Sequence, residues 1–418
     1  MTSKERPDVV GIENAATLLK DVVFTSPLQK SEFLSELFDA EIWLKREDLQ
    51  AVRSYKLRGA FNFLANLTEN QKQKGVICAS AGNHAQGVAF SCHHLNIAGT
   101  IVMPNTTPKQ KVRQVKYIGK SNVKVILHGD TYDDAKVYAK QLGQEKDMVF
   151  VSPFDHSLII EGQGTVAKEI LEQSDVHPDY VFLPIGGGGL AAGCSLYLKS
   201  KNPSIQIIGA EPEGAPAMFE SFKQGKIVRL DNIDSFVDGA AVREVGEITY
   251  EICKKLIDDI VLVPEGRICT YILELYNRAA IVGEPAGVLS VAGLDSYKQK
   301  IKGKKVVCVI SGGNNDIDRM PLIKEKSLLF EGLKHYFIIT FPQRAGALKE
   351  FVSDVLGPDD DITVFEYTKK NTKEAGPALV GIELRKKEDY LPLVERIKAF
   401  NPSYTILNEN PVLFNFLV

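Results

Sequence analysis

The feature that most constrains the fold is an alternation, from about residue 40 to 310, of short apolar, β-branched runs with longer helical patterns. The candidate strands are EIWLK (41–45), GVICAS (75–80), GTIVMP (99–104), VKVILH (123–128), YVFLPI (180–185), IQIIGAE (205–211) and KVVCVI (305–310). Helical patterns lie between them, such as NHAQGVAFSCHHL (83–95) and an amphipathic segment near 246–257. Continuous apolar strands that alternate with helices are typical of a mostly parallel sheet covered on both faces. The alternation therefore predicts an α/β architecture.

The pattern changes after Ser311. The segment PLIKEKSLLFEGL (321–333) begins with proline and has mixed charges, which is typical of a linker. Beyond it, strand and helix patterns follow in the order βαββαβ, which predicts a small α+β domain of the ferredoxin-like type. The predicted domains are a catalytic domain (1–322), a linker (323–334), a ferredoxin-like domain (335–410) and a C-terminal tail (411–418).

Composition excludes several classes of function. Lys and Arg number 50 and Asp and Glu 53, a net charge of −3 without long single-sign runs, so nucleic acid is not an expected partner. No stretch approaches the roughly 20 apolar residues of a membrane helix, and the N-terminus has no apolar signal region. The six cysteines are scattered with no CxxC pair, which argues against a disulfide framework or a metal site and predicts a reducing cytoplasm.

Four motifs follow candidate strands or open candidate helices, where α/β sheets bind small molecules. The first, RSYKLRGAFNFL (53–64), places Lys56 at the start of a probable helix. The helix dipole and burial both disfavour the ammonium form of such a lysine. A neutral amine is what a Schiff base with a carbonyl cofactor requires. Taken alone, however, most lysines are solvated surface charges.

The second motif, SAGNHAQG (80–87), directly follows a candidate strand. Its small residues let the backbone approach a ligand, and the helix beginning near Asn83 offers free N–H groups to an anion. A substrate carboxylate could bind there, while the Asn83 amide could bond a cofactor oxygen. The alternative is a tight strand-to-helix turn in which Asn83 only caps the helix.

The third motif, PIGGGGLAAG (184–193), has four successive glycines, which can wrap the backbone around a phosphate at a helix N-terminus. It is neither GxxxxGK[ST] nor GxGxxG, so a monophosphate fits better than a nucleotide.

The fourth motif, VVCVISGGNND (306–316), places Ser311 at a buried strand end, where its hydroxyl can bond a ring nitrogen without forcing a proton onto it. Alone, this last motif is only a Ser-Gly turn.

Together these motifs resemble the pyridoxal-phosphate enzymes of the tryptophan-synthase β family (fold type II), specifically the threonine dehydratases, in a short form with a single ACT-like domain. The resemblance also includes TSPL (25–28), LKREDLQ (44–50) and VGEPAG (282–287). It implies that Lys56 holds the cofactor as a Schiff base, that Asn83 bonds its phenolic oxygen and that Ser311 bonds its pyridine nitrogen. The phosphate cup is implied to be Gly186, Gly187, Gly188, Gly189 and Leu190. The substrate carboxylate loop is implied to be Ser80, Ala81, Gly82, Asn83 and His84.

Glu284 is a candidate acid–base or supporting group, or else a helix-start carboxylate stabilised by the dipole. Two positions depart from the family pattern. Tyr55 stands where Phe is usual before the lysine, and its hydroxyl needs a partner if buried. Glu211 is followed six positions later by Ala217, where some serine-directed relatives have an acidic residue that binds a divalent cation, so we expect no metal there.

The resemblance implies the conversion of L-threonine to 2-oxobutanoate and ammonia by elimination of water, the first step of isoleucine biosynthesis, with serine a further candidate substrate. It implies a homotetramer, with isoleucine or valine as effector at the C-terminal domain, where QRAGAL has Ala345 in place of the usual Pro. Alternatively, that domain only mediates subunit contacts. Competing interpretations are a serine dehydratase, a serine racemase or a β-replacement enzyme on the same fold, and a non-catalytic amino-acid sensor. A nicotinamide enzyme is disfavoured because GxGxxG is absent.

Overall fold

The computed structural model of the chain describes residues 6–173, 177–368 and 374–417. It divides into two compact units, a first unit (Met1–Asp316) and a C-terminal unit (Ile317–Val418). Parts of the predicted segments lie outside the described residues: 1–5, which belong to the segment tested for a signal peptide, 174–176 of the predicted catalytic domain, 369–373 of the predicted ferredoxin-like domain, and the last residue of the predicted tail.

The strands, numbered in chain order, are β1 (Leu28–Lys30), β2 (Glu41–Arg46), β3 (Val76–Ala79), β4 (Gly99–Met103), β5 (Val123–Leu127), β6 (Val149–Phe150), β7 (Tyr180–Pro184), β8 (Gln206–Pro212), β9 (Asp259–Val263), β10 (Lys305–Ile310), β11 (Lys334–Pro342), β12 (Asp361–Tyr367), β13 (Ala375–Glu383) and β14 (Tyr404–Ile406). The α-helices are α1 (Val9–Leu19), α2 (Glu32–Phe38), α3 (Lys56–Ala65), α4 (Glu69–Lys74), α5 (Asn83–His94), α6 (Lys109–Gly119), α7 (Tyr132–Glu145), α8 (Ser157–Gln173), α9 (Gly189–Lys201), α10 (Ala217–Gln224), α11 (Glu247–Leu256), α12 (Glu265–Ala279), α13 (Pro285–Ala292), α14 (Met320–Phe330), α15 (Ala347–Asp354), α16 (Tyr390–Phe400) and α17 (Pro411–Leu417).

The first unit contains two sheets. The larger has the order β1-β2-β10-β7-β8-β9, and every pairing in it is parallel except that of β1 with β2. The smaller has the order β5-β4-β3-β6 and is parallel throughout. Helices cover the strands, whose β-branched residues are buried, as in β3 and β10. The predicted α/β architecture is confirmed, while β1, β6 and β9 were not predicted.

The parallel strands explain where a site can form. The carboxyl ends of parallel strands meet at one edge of their sheet, so the loops after β7 and β10 leave the same edge of the larger sheet, and residues after β3 of the smaller sheet line the same cavity as those loops. Two of these loops lead directly into the first turns of α5 and α9. The chain thereby brings three segments that are far apart in sequence to one region of the first unit.

The C-terminal unit has the predicted order of elements. Strand β11, helix α15, strands β12 and β13, helix α16 and strand β14 follow one another, and the sheet order is β12-β13-β11-β14 with antiparallel pairing. Its core comes from the sheet and both helices, with Phe337, Phe351 and Ile397 fully buried. The ferredoxin-like α+β plan is confirmed.

The predicted linker differs from the structure. Most of the segment is helix α14, which begins one residue before Pro321 and ends shortly before Gly332, whose φ is +69°. Proline in the first helical turn costs nothing because the N–H it lacks has no partner there, and a glycine with positive φ allows the chain to turn out of the helix. The predicted boundaries at 322, 334 and 410 stay a prediction. Across residues 6–173, 177–368 and 374–417, no helix has both the length and the apolar character that crossing a bilayer requires.

Candidate active site

A cavity of about 770 Å³ opens in the first unit at the carboxyl ends of the strands. Every site residue predicted from the sequence lines it: Lys56, Ser80, Ala81, Gly82, Asn83, His84, Gly186, Gly187, Gly188, Gly189, Leu190, Glu284 and Ser311. These residues come from segments that follow β3, β7 and β10, and from the starts of α3 and α13. The fold therefore brings together groups that the sequence separates by up to about 250 positions.

Lys56 is the first residue of α3, after a turn that is bonded to the end of β10. The backbone N–H of Tyr55 donates to the carbonyl of Ser311 at 3.2 Å. The Lys56 Nζ donates to the carbonyl oxygen of Pro153 at 2.8 Å. Burial lowers the pKa of Lys56 to about 8, against the opposing effect of the Glu284 carboxylate. A substantial fraction of the amine is therefore neutral close to physiological pH.

Asn83 does not cap its own helix, because the N-cap of α5 is Gly82. Its Nδ2 donates to Glu284 Oε1 at 2.5 Å, and its Oδ1 accepts from Asn314 Nδ2 at 2.7 Å. The chain from Asn314 through Asn83 to Glu284 fixes which edge of the Asn83 amide faces each neighbour. Asn83 thus connects the second and fourth motifs across the cavity.

Glu284 is buried and is the N-cap residue of α13, but its side chain makes no capping bond. Burial, followed by the charge of Asp238, raises the pKa of Glu284 to about 7, while the Asn83 hydrogen bond and the charge of Lys111 act in the opposite direction. A carboxyl with such a pKa exchanges its proton near neutrality. That is the property that general acid–base catalysis requires.

The loop before α5 presents backbone donors to the cavity. Gly82 has no side chain to cap α5, so the N–H groups of the first helical turn, beginning at Asn83, are left without intrahelical acceptors. The next residue, His84, is buried, and its Nε2 lies 3.2 Å from the carbonyl oxygen of Val151. Burial and the charge of Lys56 lower the pKa of His84 to about 3. This histidine is therefore neutral, and the loop offers an anion N–H groups rather than a charge.

The glycine segment lines the same cavity. Gly188 is the N-cap of α9 with a φ of +89°, which only glycine adopts without strain, and it leaves the first N–H groups of α9 uncapped. A Cβ atom at Gly187 would lie 2.2 Å from Phe154 Cδ1, and one at Gly186 would lie 2.8 Å from the Cα of Ala240. Glycine is needed at these positions because side chains would collide with the surrounding protein.

Ser311 follows the last residue of β10 and is buried. Its hydroxyl donates to the carbonyl of Ala286 at 3.2 Å, which is long for a bond between oxygens. A hydroxyl held this weakly can rotate toward a better acceptor in the cavity. The Ser311 position therefore suits a donor to a ring nitrogen.

Residues 19–312 match the family model described as pyridoxal-phosphate dependent enzyme, and residues 325–417 match the C-terminal regulatory domain of threonine dehydratase. A biosynthetic L-threonine dehydratase of Halalkalibacterium halodurans is 59% identical over 400 residues, which cover 96% of each chain. Its counterpart in Bacillus subtilis is 56% identical and covers 96% of this chain and 95% of its own. The chain is a pyridoxal-phosphate dependent enzyme of the threonine dehydratase family.

Solved structures agree with this assignment. The processed form of threonine deaminase isoform 2 from Solanum lycopersicum is 39% identical, with a TM-score of 0.72 over 77% of this chain and 95% of its own. Maize serine racemase is 31% identical, also with a TM-score of 0.72, over 77% of this chain and 98% of its own. The family, the fold and the cofactor expected from the sequence motifs are thereby confirmed for this pyridoxal-phosphate enzyme.

The residues present fit pyridoxal phosphate. The uncapped start of α9 and the bare glycine backbone offer N–H groups and space to a phosphate. In the same cavity, Lys56 has a lowered pKa, as an amine that binds a carbonyl carbon requires. Ser311 and Asn83 also line the cavity and contribute neutral hydrogen-bonding groups. An aromatic phosphate ester with one aldehyde matches this donor set.

Several functional candidates were missed by sequence reasoning. Asn314 belongs to the quoted motif SGGNND, but nothing in the sequence indicated its bond to Asn83. The Pro153 carbonyl that accepts from Lys56, and Phe154 beside the glycines, lie in a loop that has no motif. The pair formed by Lys111 and Asp238, with Nζ and Oδ2 2.6 Å apart, lines the cavity and joins segments 127 residues apart.

The two departures from the family pattern occupy definite places. Tyr55 lines the cavity, and its hydroxyl has no hydrogen-bond partner among the described residues; burial raises its pKa. Glu211 is fully buried, and its two carboxylate oxygens accept the backbone N–H groups of Met218 (2.8 Å) and Phe219 (2.7 Å). Both oxygens of Glu211 are thus engaged by the start of α10.

Proposed function

We propose that this enzyme converts L-threonine to 2-oxobutanoate and ammonia, the first step of isoleucine biosynthesis, by eliminating water. The proposal rests on one observation above all: the buried Lys56 amine, with its pKa near 8, faces the same cavity as the glycine cup and the N–H groups before α5. It is also supported by relatives that are biosynthetic L-threonine dehydratases and that match over 96% of this chain.

We assign the roles as follows. Lys56 holds the cofactor and, once released by the substrate amine, takes the proton from the substrate Cα. The cup from Gly186 to Leu190 binds the phosphate, and the loop from Ser80 to His84 binds the substrate carboxylate through its N–H groups. When bound, pyridoxal phosphate supplies an electron sink for the negative charge that forms at Cα.

The neutral hydrogen-bonding groups in the cavity determine which reaction follows removal of the Cα proton. Ser311 is a hydroxyl rather than a carboxylate, so it does not draw a proton onto a ring nitrogen. Negative charge at Cα is then held less strongly, which favours prompt departure of the β-hydroxyl over competing reactions. Asn83 bonds the phenolic oxygen, and Glu284, bonded to the Asn83 amide, exchanges a proton near neutrality. In this proposal Glu284 controls the protonation of the Asn83 side of the cavity.

A second candidate activity, dehydration or racemisation of serine, is favoured by the likeness to maize serine racemase. The two candidates are distinguished by measuring 2-oxo-acid release from L-threonine and L-serine, together with the chirality of the remaining serine. We expect a higher kcat/KM for threonine and no accumulation of D-serine. A kcat/KM that favours serine, or inversion of serine faster than elimination, would replace the first proposal by the second.

We propose that isoleucine or valine binds the C-terminal unit and changes the activity, which its match to the threonine dehydratase regulatory domain supports. The assay above is repeated with each amino acid, and isothermal titration measures binding. Binding heat together with a changed rate would support regulation. No heat with either amino acid would leave the unit a role in subunit contacts.

The remaining assignments come from the family resemblance and are tested by simple measurements. We propose a homotetramer, to be checked by sedimentation velocity. We propose a cytoplasmic location, which the cysteines support: all six are buried and none forms a disulfide among the described residues, as suits a reducing compartment. The division into 1–322, 323–334, 335–410 and 411–418 is to be checked by limited proteolysis.

A further inference from the structure

Three consecutive residues, Pro153, Phe154 and Asp155, link the active site to helix α11: the first two contact the site and the third contacts the helix. The Pro153 carbonyl accepts from Lys56 Nζ at 2.8 Å. The Phe154 ring lies so close to Gly187 that a Cβ atom there would be 2.2 Å from Phe154 Cδ1. Asp155 contacts neither the lysine nor the glycines, and its carboxylate is bonded to α11 instead.

Asp155 caps a helix that begins about 90 residues later in the chain. Its Oδ1 accepts the backbone N–H groups of Ile248 (2.9 Å) and Thr249 (3.2 Å), and its Oδ2 accepts that of Glu247 (3.1 Å). These are the first donors of α11, which have no intrahelical acceptor. The carboxylate also lies at the positive end of the helix dipole.

The N-cap residue of α11 is Gly246, which has no side chain to make this bond itself. A Cβ atom at Gly246 would lie 2.3 Å from Asp155 Cγ, so the position that a local capping side chain would use is filled by Asp155. The cap is therefore a tertiary contact, and it ties the loop from Pro153 to Asp155 to the start of α11.

The first turn of α11, which Asp155 caps, also contacts the glycine cup. Thr249 Oγ1 donates to the carbonyl of Gly187 at 2.7 Å, and a Cβ atom at Gly188 would lie 2.9 Å from Thr249 Cβ. One turn later, Cys253 Sγ lies 3.9 Å from the carbonyl oxygen of Gly188. The first turn of α11 thus donates its N–H groups to Asp155 and, through Thr249, fixes the backbone of the cup.

We propose that Asp155 is a positioning residue: it fixes the phosphate cup and the Pro153 carbonyl, which accepts from Lys56, at the correct positions relative to each other. Its carboxylate fixes α11, α11 fixes Gly187 through Thr249, and the residues next to Asp155 in the chain contact Gly187 and Lys56. A displaced loop would therefore misplace both ends of the cofactor site together. The inference concerns cofactor binding, so it does not depend on threonine being the substrate.

The test compares cofactor affinity with local hydrogen exchange in the full-length protein. Asp155→Ala removes all three bonds, whereas Asp155→Asn keeps an acceptor for Ile248 and Thr249 but loses the charge and the bond to Glu247. The matched control is Asp8→Ala, which removes the exposed N-cap of α1, a bond of 2.7 Å to the N–H of Gly11. Absorbance titration of cofactor-stripped protein gives the Kd for pyridoxal phosphate.

We expect Asp155→Ala to weaken cofactor binding by roughly ten- to a hundredfold, the range for loss of charged hydrogen bonds. Asp155→Asn should have a smaller effect and Asp8→Ala none. The rate of hydrogen exchange at the amides of residues 247–249 should rise in Asp155→Asn and rise further in Asp155→Ala. Faster exchange with an unchanged Kd would overturn the proposal, because the cap would then be only structural, and unchanged exchange would show that the cap does not form.

A double-mutant cycle keeps the inference testable if Asp155→Ala does not fold. Thr249→Val keeps the shape of Thr249 but cannot donate to Gly187. If Asp155 acts through Thr249, the effects of Asp155→Asn and Thr249→Val on the cofactor Kd are not additive. Additive effects would rule out this route. Turnover of threonine enters none of these readouts, so an incorrect substrate would leave the test intact.

Discussion

The two units of the chain use their interiors differently. The first unit buries charged side chains: Lys45, Glu47 and Arg58 are fully buried, Arg58 forms an ion pair with Glu47, and both Arg58 and Lys45 form ion pairs with Glu169. The core of the C-terminal unit consists of rings and aliphatic chains, with the ring centroids of Phe341 and Phe351 5.0 Å apart, and its buried Lys334, paired with Glu325 at 2.5 Å, lies outside that core. Buried charge costs desolvation and is retained where geometry has to be fixed, whereas an apolar core specifies only a fold. The comparison suggests that chemistry resides in the first unit and that the C-terminal unit acts through its surface.

The strongest challenge to this comparison is the removal of one buried amine. Lys56→Ala should abolish threonine turnover by a factor on the order of 10⁴, because no other group replaces the amine that takes the Cα proton. The C-terminal unit should unfold as in the unmodified protein, since Lys56 lies outside that unit and its core cluster is made of residues 337–406. The measurements are 2-oxo-acid release and thermal unfolding. Appreciable turnover in Lys56→Ala would refute the assignment of the catalytic amine.

The second change breaks the buried network itself. Arg58 is fully buried, and its guanidinium makes two bonds of 2.8 Å to Glu47 and one of 2.6 Å to Glu169. Arg58→Ala leaves Glu47 charged and buried without its partner, which should cost about 3–5 kcal/mol of unfolding free energy. Arg58→Lys is the matched variant, since it keeps the charge but loses the two-bond geometry. Denaturant unfolding gives the unfolding free energy of both variants. A cost below about 1 kcal/mol for the alanine variant would show that the network does not stabilise the fold.

The pH dependence of the same network has a definite sign. Burial alone would raise the pKa of Glu47, but the charge of Arg58 and its hydrogen bonds outweigh burial and lower it. A carboxyl whose folded pKa lies below its unfolded value stabilises the fold above the unfolded pKa, and this stability is lost as the pH falls through the folded pKa. The first unit should therefore lose stability in acid, and Arg58→Ala should remove much of that dependence.

The third change concerns Glu284, whose pKa is raised to about 7. Glu284→Gln keeps an acceptor for Asn83 Nδ2 but cannot titrate. We expect kcat/KM to fall by roughly a hundredfold, the lower end of the range for acid–base catalysis, and the pH–rate profile to lose its inflection near pH 7. Because the raised pKa means that the folded state holds the proton more tightly, the unmodified protein should lose stability relative to the variant as the pH rises from 4.5 to 7. An unchanged pH profile would assign Glu284 a purely structural role.

The parts of this site that the sequence predicted are those encoded by contiguous motifs. Lys56, the glycine cup and the loop before α5 each follow a strand or begin a helix, so their position is set locally by the α/β pattern. The bond between Asn83 and Glu284, and the cap that Asp155 gives to α11, join residues 201 and at least 92 positions apart. Such contacts have no local signal, because either residue alone has an ordinary interpretation as a helix-start side chain.

The fold shows the same division between local and long-range information. Strands β3, β4 and β10 are continuous apolar runs and were predicted, whereas β6 has only two residues, Val149 and Phe150, held by pairing with β3. Strand β9 has a short apolar run between Asp259 and Pro264, and because Asp and Pro are typical of turns, the sequence did not indicate a strand there. Its identity as a strand comes from pairing with β8, which the sequence alone does not reveal.

The smallest expected effect comes from an ion pair in the C-terminal unit. Arg385 Nη1 lies 3.2 Å from Asp359 Oδ1, and the two side chains are 70% and 56% exposed, against 0% for both Arg58 and Glu47. Because water and salt screen an exposed pair, Arg385→Ala should change the unfolding free energy by less than about 0.5 kcal/mol, and the change should shrink further at high salt. Denaturant unfolding of this variant and of Arg58→Ala compares an arginine–carboxylate pair in an exposed and in a buried environment. A cost for Arg385→Ala near that of Arg58→Ala would mean that the C-terminal unit also depends on charge, and the contrast between the two units would fail.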